Sequence, residues 1–321
     1  MMRYTKRVIS LLLLLFACTQ ARADLIKYSD QTISVKYTPS LNKAQRHQTY
    51  EWLKLVTDAL RTVYGKWPKD KFNIHIKTST SNRSPVPWGQ VTRGTPDEVL
   101  LVINPDAGFK EITRDWTAFH EFSHLLIPYR GYGNIWFSEG LATYYQNVIQ
   151  ARAGLIREDE LWNELASGFE RGRQENNLSH LNLKEISDNM RKYRNFMRVH
   201  WSGVHYWLSV DVKLRQLSQN DMSLDTVLKQ LNDCCYNKSM SASEIAEKLD
   251  QLVGVHWPSN KSSIKIFKPA FDQYKASHTM PDYVPLLSSL GVIYNQRESV
   301  VLSVDASRAE IRKRIFIGNV F

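Results

Sequence analysis

Five consecutive residues, His120-Glu121-Phe122-Ser123-His124, constrain this chain more than any other segment. Side chains four positions apart share one face of an α-helix. Both imidazoles therefore reach a single ion only if the segment is helical, with Glu121 beside them. An apolar run, Val99-Leu100-Leu101-Val102-Ile103, precedes it and reads as a strand buried on both faces, ended by Pro105. Fourteen residues separate His124 from Glu139, which lies in Trp136-Phe137-Ser138-Glu139-Gly140-Leu141-Ala142-Thr143-Tyr144-Tyr145. This segment reads as the start of a second helix, and a helical hairpin brings Glu139 opposite the histidines. Two histidines and a carboxylate leave a fourth position open on a tetrahedral ion, the arrangement of a catalytic zinc site. The expected ligands of one Zn2+ per chain are His120, His124 and Glu139. Glu121 is then the base for a zinc-bound water attacking a carbonyl.

The rest of the chain supplies the frame. Strands are expected over Thr32 to Tyr37 and Lys71 to Lys77, where apolar and polar residues alternate. Between them Ser40 is positioned to cap a helix to about Tyr64, with Trp52, Leu55, Val56, Ala59, Leu60 and Val63 on one face. Ser79 to Asp97 is polar and rich in turn formers. A helix is expected over Lys110 to Leu126, with Ile112, Trp116, Phe119, Phe122 and Leu126 inward, and another from Trp136 to about Ala153. From Leu161 onward the pattern is almost wholly helical, clearest at Leu224 to Leu231 and Ala242 to Val253, with a strand expected at Ser299 to Val304. The expected fold class is α+β: a small mixed-sheet lobe with the zinc-binding helices over residues 24–153, then a mainly helical lobe over residues 154–321.

The N-terminus has the form of an export signal. Arg3, Lys6 and Arg7 precede the apolar run Val8 to Ala17, and Ala21-Arg22-Ala23 offers small residues for cleavage after position 23. Ten apolar residues are too few to span a bilayer, which takes about 20. Leu15-Phe16-Ala17-Cys18 is a looser match to a lipidation site at Cys18. Loss of residues 1–23 removes four basic residues and lowers the net charge from +10 to +6. That balance, without a sustained basic run, gives no indication of a nucleic-acid partner. The expected place of work is the periplasm or the medium, with no transmembrane span in the mature chain. Cys234 and Cys235, the remaining cysteines, are adjacent; they pair through a strained ring or stay free.

The His-Glu-x-x-His segment followed by Trp-x-x-Glu-Gly-x-Ala resembles the signature of gluzincin metallopeptidases, in particular the glycyl-aminopeptidase-like and aminopeptidase N-type families. The resemblance implies the same three ligands, Glu121 as general base, a gluzincin catalytic core and peptide or protein substrates. It extends through His200 to Leu231 and to Pro281 to Gly291. Those families place an oxyanion-stabilising tyrosine three residues before the glycine aligned with Gly203. Here that residue is His200, which can donate the same hydrogen bond, with Tyr193 and Tyr206 as the other candidates. The Gly-x-Met-Glu-Asn element that grips a free amine is absent. Trp88 to Gly94 stands in its place without a carboxylate, Asp97 and Glu98 follow as caps for the next strand, and Arg93 is either a carboxylate binder or a solvated loop arginine.

The functional expectation is an exported zinc-dependent metallopeptidase, with exo- or endo-cleavage undecided. The alternative from another class is a non-catalytic zinc-containing domain of the cell envelope that binds peptides or partners. The outer ring nitrogens of the zinc histidines require acceptors, and Asp115, Thr143 or backbone carbonyls are the candidates.

Overall fold

The computed structural model describes residues 23–38, 40–80, 84–131, 133–256, 264–295 and 299–318. The expected leader up to residue 22, with Cys18, lies outside them, as does Pro39, expected to close the strand over Thr32 to Tyr37.

A five-stranded sheet forms one layer. Its strands are β1 (Asp24–Tyr28), β2 (Gln31–Tyr37), β3 (Lys71–Thr78), β4 (Trp88–Thr92) and β5 (Asp97–Ile103), in the spatial order β1-β2-β3-β5-β4. β2, β3 and β5 run parallel, while β1 and β4 close the two edges antiparallel. The mixed sheet is the expected one, but two strands were hidden in the sequence. β1 follows the leader directly, and β4 lies within the turn-rich segment. β5 also departs from expectation: Val99, Leu101 and Ile103 are fully buried, whereas Glu98, Leu100 and Val102 are half-buried. Its second face is only partly covered.

Helix α1 (Lys43–Arg61) packs Trp52, Leu53, Val56 and Leu60 into the core. Its cap is Asn42 rather than Ser40. The Asn42 side chain accepts from the Gln45 backbone N–H, and the Gln45 side chain accepts from the Asn42 N–H, satisfying two otherwise orphaned donors. Ser40 Oγ instead bonds the hydroxyls of Thr38 and Thr78.

The helix expected over Lys110 to Leu126 is interrupted. α2 (Phe109–Arg114) stops at Asp115, whose backbone is extended, and α3 (Thr117–Ser123) restarts after it, followed by a 3-10 turn at His124–Leu126. Asp115 explains the break. Its carboxylate accepts from Ser84 Oγ and from the backbone N–H groups of Val86 and Thr117, so it satisfies the first N–H of α3 and ties the helix to the β3–β4 connection. Trp116, expected inside, is thereby turned outward and is 53% exposed.

The helical layer begins with α4 (Ile135–Arg152) and α5 (Glu158–Gln174). Two short helices, α6 (Leu183–Asp188) and α7 (Met190–Tyr193), lead to the long α8 (Phe196–Ser218). α9 (Leu224–Cys235) and α10 (Ala242–His256) fall where the amphipathic pattern put them. α11 (Phe267–Lys275) and α12 (Val284–Ser289) follow. The expected C-terminal strand shrinks to β7 (Val301–Leu302), paired with β6 (Val292–Ile293), before α13 (Ala306–Ile317). Cys234 and Cys235 are joined in a disulfide at the end of α9.

One crossing positions the site. α4 and α8 meet at Gly140 and Gly203, where a Cβ on Gly140 would lie 2.3 Å from Gly203 Cα, and one on Gly203 would lie 2.1 Å from the Trp136 carbonyl oxygen. Only two glycines permit this approach. It carries His200, one turn before Gly203, to the face of α4 that holds Glu139 and Thr143. Among the described residues, no helix is long and apolar enough to cross a membrane.

Candidate metal centre

α3 and its 3-10 extension present His120 and His124, and the first turn of α4 presents Glu139. One possible ligand atom from each lies within 4.8 Å of the others. Glu139 Oε2 is 3.2 Å from His120 Nε2 and 3.7 Å from His124 Nε2. The outer ring nitrogens are held from behind. His120 Nδ1 donates to Gln146 Oε1 at 2.9 Å, and His124 Nδ1 lies 3.1 Å from Ser138 Oγ. With Nδ1 as the proton-bearing nitrogen, each Nε2 keeps its lone pair for an ion.

The partners anticipated from sequence are therefore corrected. Asp115 accepts from the Thr117 backbone N–H at the start of α3, and Thr143 serves His200. Gln146 and Ser138 were missed. Gln146 is seven residues after Glu139 and Ser138 immediately precedes it, so both follow from placing Glu139 in register on α4.

Electrostatics suit a cation. Burial alone would raise the Glu139 carboxyl, yet the imidazoles of His124, His120 and His200 hold it well below the usual range. Burial lowers His124 to about 3, keeping its ring neutral. Burial opposes protonation of His120 but Glu139 outweighs it and raises its pKa, so an ion there would take the place of a proton. Two imidazoles and one carboxylate form a donor set that fits zinc.

Glu121 points to the other side, against β4. Gly89 makes room for it: a Cβ there would stand 2.4 Å from Glu121 Cγ. Burial pushes the Glu121 carboxyl up to about 7, Glu139 pushes the same way, and His120 and a hydrogen bond from the Val91 backbone oppose them. Such a group exchanges a proton near neutrality.

His200 joins this group. Its Nδ1 is 3.2 Å from Thr143 Oγ1, its Nε2 is 3.8 Å from Glu139 Oε2, and its ring stacks 6.0 Å from that of His120. Burial lowers its pKa. Tyr206 is elsewhere: its hydroxyl donates to the Phe267 carbonyl in the core. Tyr193 lies on α7 with the Lys192 ammonium over its ring. Neither tyrosine lines the cavities at the centre.

Arg93 is not a solvated arginine: it lines the cleft, with its guanidinium engaged within the fold. Its guanidinium pairs with Asp97 at 3.2 Å and donates to the carbonyls of His124 and Ile127. It thus fastens the end of the histidine segment to the β4–β5 turn.

Two cavities flank the centre. One, of about 420 Å³, is largely apolar; Trp116, Ile156, Met197 and Trp201 line it beside His200. The other, of about 430 Å³, runs along β4 past His120, Glu121 and Glu139 toward Tyr129, Arg130 and Arg191.

Residues 130–233, which contain Glu139 and His200, match the family model described as M61 glycyl aminopeptidase. The fold is that of an aminopeptidase N family protein. The crystal structure of such a protein from Idiomarina loihiensis superposes with a TM-score of 0.56 at 14% identity, over 84% of this chain and 49% of that one. An M1 zinc metallopeptidase from Deinococcus radiodurans matches with a TM-score of 0.47 at 15% identity, over 81% of this chain and 52% of that one. The chain thus spans about half the length of these structures. No curated protein matches it at the level of sequence. The gluzincin resemblance read from His120 to Tyr145 is borne out by the family match and the shared fold.

Proposed function

We propose that the protein is a zinc-dependent metallopeptidase that hydrolyses peptide bonds. The observation that carries this reading is the convergence of His120, His124 and Glu139 on one point, with the Glu121 carboxylate held beside it against Gly89 in the same cleft. A purely structural ion has no use for such a base, which counts against a binding role without catalysis.

The residues divide the work. His120, His124 and Glu139 would hold a divalent ion, which when bound would supply Lewis-acid polarisation. Glu121 accepts the proton of the attacking water and passes it to the leaving amine. Gly89 and the Val91 backbone fix the direction from which it does so. Thr143 holds His200 Nδ1, which leaves Nε2 to donate to the oxygen that gains charge during attack. β4 is an edge strand, paired on one side with β5, and its other side lines the cleft. Its main chain is available to an extended peptide by strand addition.

We also propose that the protein works outside the cytoplasm. The basic start, short apolar run and Ala21-Arg22-Ala23 support it, and so does the Cys234–Cys235 disulfide, a bond typical of oxidising compartments. The test is cleavage of a mixed peptide library by zinc-loaded wild type beside Glu121→Gln. Cleavage that depends on Glu121 supports the proposal, and equal cleavage by both refutes it.

A further inference from the structure

The cavity along β4 carries a charge pattern at odds with capture of a free N-terminal amine. The carboxylates lining the two cavities are Glu121, Glu139 and Glu164. Glu121 and Glu139 belong to the metal centre. Glu164 lies on the apolar side, where Arg114 and Arg171 share the lining. The β4 side instead holds Arg130 and Arg191. Among the described residues neither forms an ion pair.

The neighbouring charges do not cancel these two guanidinium groups. Arg93 is spent on Asp97 and on backbone carbonyls. The nearby acid is Asp188, which pairs with Lys184 at 2.7 Å and accepts from the Asn134 backbone at 2.6 Å. The chain leading into Arg130 is also held in place. Tyr129 before it forms a β-bridge to Met240 and donates its hydroxyl to the Gly133 carbonyl at 2.7 Å. The Met240 N–H closes the bridge on Pro128. A guanidinium on a pinned segment pairs with a carboxylate at lower entropic cost than one on a free loop.

We infer that this arm of the cleft receives a substrate carboxylate at Arg130 and Arg191, so that cleavage is directed by an acidic group and not by a free N-terminus. The inference rests on the peptidase reading and names its substrate class. The carboxylate comes from an aspartate or glutamate side chain or from the C-terminus of a short peptide; both offer the same planar acceptor to a guanidinium.

The experiment uses zinc-loaded full chain and matched peptides. One pair differs only by Glu against Gln at a single internal position, with both ends blocked. A second pair differs only by a free or an amidated C-terminus. Cleavage is followed in wild type, and binding is measured in Glu121→Gln, so that recognition is read even where turnover is absent. We expect the acidic member of at least one pair to be favoured by about tenfold or more, the usual strength of a hydrogen bond to a charged group. Arg130→Gln and Arg191→Gln should each bring that ratio toward one, and Arg130→Glu should invert it. Preference within the first pair identifies the side chain as the source, and within the second the C-terminus. Equal treatment of acid and amide in both pairs overturns the inference, as does a strict need for a free N-terminal amine. Failure of the peptidase reading has a different signature: intact peptides with wild type and Glu121→Gln alike, whichever member binds better.

Discussion

Gly89 and Glu121 are in mutual contact across the cleft, so closely that a Cβ on Gly89 would stand 2.4 Å from Glu121 Cγ and 3.0 Å from its carboxyl carbon. The strand edge and the base are thus built to one another's shape. Gly89→Ala should displace the Glu121 carboxylate while leaving the metal ligands in place. A misplacement of this kind costs on the order of a hundredfold in rate. The expected outcome is a fall in kcat of that size with zinc content unchanged, read by peptide turnover and metal analysis. Full activity in Gly89→Ala would show that the contact has no part in placing the base.

Gln146 and Ser138 act through the histidines they orient. Gln146→Ala and Ser138→Ala should each weaken zinc binding by roughly 10- to 100-fold, the usual effect of removing a hydrogen bond behind a ligand. Competition with a chelator of known affinity measures this directly. Gln146→Glu keeps an acceptor for His120 Nδ1 and should restore binding, whereas a merely structural loss would not be rescued.

The outline of the centre was legible in the sequence because its spacing is helical. His120 and His124 are four apart, and Glu139 opens the next helix at Trp-x-x-Glu. Legibility ended where tertiary contacts override local pattern. β4 reads as loop because Trp88-Gly89-Gln90-Val91-Thr92 has no buried face, its outward residues lining the cleft instead. The break at Asp115 depends on Ser84 and Val86, some thirty residues away in sequence. Arg93 could not be assigned because its acceptors, the carbonyls of His124 and Ile127, are main-chain atoms with no signature in the sequence. His200 could be reached only through the glycine spacing, which the Gly140–Gly203 crossing explains.

His200 is expected to act on the transition state and not on the ground state. His200→Ala should lower kcat by about a hundredfold or more, as loss of one oxyanion donor does, with KM and zinc content little changed. Thr143→Val removes the hydroxyl beside Nδ1 and should cause a smaller fall of the same kind. Steady-state kinetics on one peptide decide the matter, and unchanged turnover in His200→Ala would remove the residue from the mechanism.

The far side of α5 gives a prediction about acid stability. The Arg173 guanidinium, helped by the Tyr283 hydroxyl and the Gln174 amide, holds the Glu170 carboxyl down to about 2 against the effect of burial. Its folded pKa is therefore below the unfolded value of about 4.3. The stabilisation is present above that value and is lost as pH falls from about 4 toward 2. Glu170→Gln should cost about 1 to 2 kcal/mol at pH 7, in line with hydrogen bonds to a charged group. Urea denaturation at a series of pH values should show the gap from wild type closing near pH 2. A gap that stays constant with pH would contradict the ionic origin.

The most direct test of the peptidase reading is to load wild type and Glu121→Gln with zinc, count the metal in each, and expose both to the same peptide library with mass-spectrometric readout. Both should carry one zinc per chain, wild type should cut peptides, and the variant should leave them intact. Equal cutting by the zinc-loaded variant, or no cutting by fully loaded wild type, would contradict it.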